Sequence, residues 1–106
     1  MIHNKLVRDK IPEIITANGD VPVTRVLGKT EYHEELRRKL LEEAAEAATS
    51  DDTTELADVL EVIYALADQA GLTREGLETM RALKEHERGA FSKKLYLIET
   101  KETKDV

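Results

Sequence analysis

The chain contains no cysteine. Disulfides and thiolate metal sites are therefore excluded. No apolar run approaches the roughly 20 residues that a membrane-spanning helix needs. The N-terminal residues lack the apolar stretch of a secretory signal. These absences set the expectation of a cytoplasmic protein with no membrane partner. Positive charge is also in deficit. Sixteen Lys and Arg stand against 22 Asp and Glu, for a formal net charge of -6. That balance argues against a nucleic-acid polymer or an anionic membrane as partner. A polyanionic substrate would need metal ions or a local basic patch. No tandem repeat, low-complexity segment or internal linker interrupts the sequence.

What remains is a globular composition, 41% hydrophobic and 36% charged. At 106 residues the chain is read as one domain, 1–106. A chain this short buries a smaller fraction of its surface than a larger one, so association would help stabilise it. "RDKIPEIITANG" predicts a short first helix, with Asp9 as N-cap, Pro12 in the first turn and Gly19 as stop. The β-branched "VPVTRVL" predicts a strand. A long helix capped by Thr30 is expected to run to about Thr49. "SDDTT" is the break, rich in N-cap residues. A second long helix then runs to about Ala70 with Gly71 at its end, and a third from Thr73 to about Arg88, before Gly89. "KKLYLIE" predicts a last strand that pairs with the first, and the polar tail "TKETKDV" is expected to fray. The fold class is mainly α, an antiparallel helical bundle with a small two-stranded β element.

Helical spacing singles out a set of carboxylates. Residues three, four and seven apart share a helix face. In the first long helix Tyr32, Leu36, Leu40 and Ala47 form an apolar stripe. Glu43 falls seven after Leu36, three after Leu40 and four before Ala47, inside that stripe. Glu46 lies at its edge and Glu42 further round. The second long helix is apolar over most of its circumference, so it is expected to be buried in a bundle. Glu55 borders its apolar arc and Asp58 joins Glu55 in one row, whereas Glu61 and Asp68 face outward. The short break makes the helices antiparallel neighbours, which brings both carboxylate pairs to one end. Glu-rich helices are commonly solvated, so "EExxE" alone is a weak signal. Two paired motifs with one member inside a stripe are a stronger one. Such charge has to be cancelled by protonation, basic partners or cations. Oxygen ligands without cysteine or a histidine pair select hard cations, Mg²⁺ or Mn²⁺.

The "EExxE" of Glu42, Glu43 and Glu46, followed by the "ExxD" of Glu55 and Asp58, resembles the signature of the all-alpha NTP pyrophosphatase superfamily. "NKLVRDKIPEII" (Asn4–Ile15) and "KEHERGAF" (Lys84–Phe91) resemble its small MazG-like members, which are similar to phosphoribosyl-ATP pyrophosphohydrolase. The likeness runs from Asn4 to about Leu97. It departs in the short stretch between Glu46 and Glu55, and at Ala90, where the pattern leads one to expect glycine. The resemblance implies hydrolysis of a nucleoside triphosphate between the α and β phosphates. It implies Mg²⁺ held by Glu43, Glu46, Glu55 and Asp58. Glu42 would serve a second ion or orient the attacking water, which makes Glu42 and Glu43 the catalytic candidates. It also implies a bundle completed by a second copy, hence a homodimer or higher oligomer.

Basic residues complete the reading. Lys84 lies on the apolar side of the third long helix, four after Met80, and Arg88 follows four later. Either they snorkel or they meet phosphate. Arg8, Lys10 and Asn4 are further phosphate or substrate candidates. His33, Arg37 and Arg38 read as surface residues, and Tyr32 as core. Two other functions fit the same residues: phosphoribosyl-ATP hydrolysis in histidine biosynthesis, or a non-catalytic helical module that binds nucleotides or a partner.

Overall fold

The computed structural model of the chain describes residues 1–103. Lys104, Asp105 and Val106, the end of the expected frayed tail, lie outside the described residues. Four helices form: α1 (Ile11–Ala17), α2 (Lys29–Thr49), α3 (Thr54–Gln69) and α4 (Arg74–Arg88). Within the single domain expected over 1–106, the residues fall into two compact units, Met1–Arg74 and Glu75–Val106. The first unit holds α1, α2 and α3. The second holds α4 from its second residue onward and the segment after it.

The first unit is organised by α2 packing on α3. The pair is antiparallel. At one end the His33 ring Nδ1–H donates to Gln69 Oε1 at 2.6 Å, and Gln69 Nε2 donates to the Lys29 carbonyl at 3.2 Å. These bonds join the start of α2 to the end of α3. At the other end the chain reverses through Ser50 to Thr53. There the Asp52 carboxylate accepts the Thr54 backbone N–H at 3.0 Å and the Thr54 hydroxyl at 2.8 Å. Those bonds satisfy a donor that the first turn of a helix otherwise leaves open, and they hold the Asp52 carboxyl below its usual range. α3 ends in a Schellman motif. Gly71 N–H bonds to Asp68 O, Leu72 N–H bonds to Ala67 O, and Gly71 takes a φ of 80°.

The stripe read from the sequence is the seam of the pair. Leu36 on α2 is buried, as are Val62 and Ala67 on α3. Tyr32, Leu40 and Ala47 are half-buried, and Glu61 and Asp68 are exposed. One copy covers α3 only in part, since Leu56 and Leu60 remain exposed. α4 buries no residue.

Three local expectations are corrected. No strand forms among the described residues. Pro22 has no N–H for a ladder, and Val21, Val23 and Val26 stay exposed. The second residue of the "KKLYLIE" segment, Lys94, has a φ of 58°, and its N–H closes a turn on Phe91 O. A strand needs a partner edge, and β-branched composition alone does not supply one. α2 begins at Lys29 with Gly28 as N-cap, so Thr30 lies inside the first turn instead of capping it. α1 is preceded by Lys10 in the cap position, and Asp9 makes no cap.

Candidate metal centre

α2 delivers Glu43 and α3 delivers Glu55 and Asp58 to the same end of the antiparallel pair. One carboxylate oxygen from each lies within 4.8 Å of the other two. Glu43 is 9% exposed, the buried acidic residue of the described chain, and Glu55 and Asp58 are half-buried. The local cause is helical period. Glu43 shares the face of Leu36, and Glu55 and Asp58 are one turn apart at the start of α3.

Each carboxylate has a different charge environment. Glu43 is met by the Lys39 ammonium at 3.3 Å, one turn back on α2, and Lys39 also reaches Glu42 at 3.6 Å. Asp58 accepts a hydrogen bond from Arg8 Nη2 at 2.7 Å. Glu55 has no basic partner among the described residues. Burial pushes its carboxyl up, and the neighbouring Glu46, Asp58, Glu43 and Asp52 push in the same direction. The site thus carries more negative charge than its two cations offset.

The donor set fits a hard divalent cation. All three donors are carboxylate oxygens, and no sulfur or imidazole is among them. Glu43, Glu55 and Asp58 would be the protein ligands, with water completing the shell.

The other sequence candidates are placed as follows. Glu46 is exposed and lies outside the group of three, but its charge acts on Glu55. Glu42 is half-buried at the rim, held by Lys39. Arg8 is brought to the cluster through Asp58. Asn4, with a φ of 46°, and Lys10 are exposed in the N-terminal segment and at the start of α1. Lys84 and Arg88 are exposed on α4, in the second unit. Lys39 went unremarked in the sequence. Its offset of four from Glu43 was the available signal. The Arg8–Asp58 pair spans 50 positions, a separation no local pattern encodes.

No family model matches the chain, and no solved structure matches it. An uncharacterized protein of Mycolicibacterium smegmatis (strain ATCC 700084 / mc(2)155) is 51% identical over 47 residues, covering 44% of this chain and 48% of that protein. The match thus spans about half the length of that relative.

Proposed function

We propose that the chain is a divalent-cation-dependent nucleoside triphosphate pyrophosphohydrolase of the MazG-like, all-alpha type, a cytoplasmic enzyme acting in nucleotide-pool housecleaning. The observation that carries this reading is the convergence of Glu43, Glu55 and Asp58 from two helices, one of them nine-tenths buried. A scaffold gains nothing from such a cluster, because like charges close together in a partly desolvated place repel. A cation site gains its affinity from them. Mg²⁺ is the cofactor of this reading, with Mn²⁺ as substitute.

Each residue then has a role. Glu43, Glu55 and Asp58 hold the cation, with Glu46 beside them. A bound divalent cation supplies neutralising charge for phosphate oxygens and lowers the pKa of water. Glu42, at the rim, orients the attacking water or accepts its proton. Water adds to a phosphorus flanking the α–β bridge, the bond from that phosphorus to the bridging oxygen breaks, and pyrophosphate and a nucleoside monophosphate are released. Arg8, Lys10 and Asn4 are the substrate-side groups of the first unit. Lys84 and Arg88 enter through the resemblance of "KEHERGAF" alone. The working form is a homodimer or larger, with a four-helix bundle made by two α2–α3 pairs.

The test is product chromatography over a panel of nucleoside triphosphates and phosphoribosyl-ATP, with Mg²⁺ or Mn²⁺. The expected products are a monophosphate and pyrophosphate. Turnover confined to phosphoribosyl-ATP would move the assignment to histidine biosynthesis. Release of orthophosphate would refute cleavage between the α and β phosphates. No turnover on any member would favour the binding module.

A further inference from the structure

Arg8 belongs to no helix, yet its guanidinium lies 2.7 Å from Asp58, a member of the carboxylate cluster. We propose that Arg8 is an exchangeable counter-cation: it occupies Asp58 until a divalent cation takes that carboxylate, and is then released to bind phosphate. The inference rests on the metal-site reading and adds an order of events to it.

The argument begins with the inventory of charge. Among the described residues two cations serve the cluster, and they differ in kind. Lys39 is on the same helix as Glu43, and its side chain is 18% exposed. It is fixed by the helix and has Glu42 as a second partner. Arg8 comes from the segment that precedes α1 and its side chain is 55% exposed. An exposed ion pair of this kind is weak, because water and salt compete with it. Of the two, Arg8 is the one that can leave cheaply.

The contact also competes with a cation for the negative charge of the same carboxylate. The oxygen that Arg8 holds, Oδ1, belongs to one of the three converging side chains. A cation drawing on Asp58 takes electron density from the acceptor and places positive charge beside the guanidinium. Both effects push Arg8 off. A guanidinium has five N–H donors in a planar fork and no acceptor, a geometry suited to phosphate oxygens. Once off Asp58 it stands at the edge of the cluster with those donors open. A phosphate chain is therefore met by Arg8 only after the cation is in place. Charge logic gives the same order: a polyanion approaching three carboxylates without a cation is repelled.

The test uses the full chain, Mn²⁺ alone as probe, and inorganic pyrophosphate as second probe. Mn²⁺ binding is followed by its electron paramagnetic resonance signal and pyrophosphate binding by calorimetry. R8Q should bind Mn²⁺ about two- to fivefold more tightly than the parent chain, the range set by losing one exposed ion pair. Pyrophosphate should bind the parent only when Mn²⁺ is present, and R8Q should lose much of that binding. Raising salt should narrow the Mn²⁺ difference. R25Q is the control. Arg25 pairs with Glu31 in the first turn of α2, about 18 Å along the helix from Glu43 at 1.5 Å per residue, and its loss should change neither probe. If the parent binds Mn²⁺ and R8Q binds it no more tightly, the exchange is wrong and the metal site stands. If the parent binds no Mn²⁺, the metal-site reading fails and the exchange falls with it. Pyrophosphate binding of equal strength with and without Mn²⁺ would overturn the ordering.

Discussion

Glu43 occupies a place on α2 where period and neighbours ask for an apolar side chain. It follows Leu36 by two turns and is buried with it. That placement was legible, because the offsets to Leu36, Leu40 and Ala47 fix the face without knowledge of the fold. Its energetic setting was less legible, since Lys39 shares the charge. Two opposed effects then govern Glu43→Gln. The variant loses a Lys–Glu pair at i, i+4 whose side chains are 18% and 12% exposed, with Lys on the N-terminal side, the weaker order. It also loses repulsion with two carboxylates within 4.8 Å. Two carboxylates oppose the charge of Glu43 against one ammonium, and Lys39 keeps Glu42 as partner. Without cation, Glu43→Gln should melt at the same temperature as the parent or higher. With Mg²⁺ the stabilising shift should shrink, because a neutral amide is the poorer ligand. Activity should fall by more than about tenfold, the scale seen on disturbing metal sites. Glu61→Gln, on the exposed side of α3, should change none of these. Melts with and without Mg²⁺ beside turnover assays check both variants. A full Mg²⁺ shift in Glu43→Gln would remove Glu43 from the ligand set.

At the scale of elements, the helices were readable, and the lack of strands among the described residues was not. Apolar spacing and stop signals at Gly19, Gly71 and Gly89 mark the helix ends to within a residue or two. The strand expectations rested on local composition and turn signals, and the ladder partner that a strand requires leaves no local trace. The turn between α2 and α3 matters most to function, because it sets the height of Glu55 and Asp58 against Glu43. Asp52 holds that turn through Thr54. Its folded carboxyl is depressed below the unfolded value. A depressed acid contributes stability that is present above the unfolded pKa and is lost as pH falls through the folded one. Asp52→Ala should therefore lower the melting temperature at neutral pH by a few degrees, in line with loss of a helix-start acceptor. The gap should hold down to about pH 4, the ordinary aspartate value, and close below it. Thermal melts from pH 7 to pH 2 follow this. A gap that persists at the lowest pH would mean that Asp52 acts through something other than its charge.

At the scale of the whole molecule, the difficulty is coverage. Leu36, Val62 and Ala67 are the buried apolar residues of the described chain. They are few for a 21-residue and a 16-residue helix packed on each other. Meanwhile Leu56 and Leu60, one turn apart on α3, are 63% and 44% exposed, and Leu41 on α2 is 74% exposed. The near-continuous apolar character of α3 is thus left half used by one chain. A second α2–α3 pair laid against these residues would complete a bundle and bury them. The prediction is that light scattering at micromolar concentration gives at least twice the chain mass, and that helical circular dichroism falls on dilution as the copies separate. Leu60→Glu places a charge on that face, so it should shift the equilibrium toward single chains and lower the melting temperature in a concentration-dependent way. A single chain that keeps its full helicity and melting temperature under dilution would reject the assembly. It would also show that the α2–α3 pair is stable with its apolar side in water.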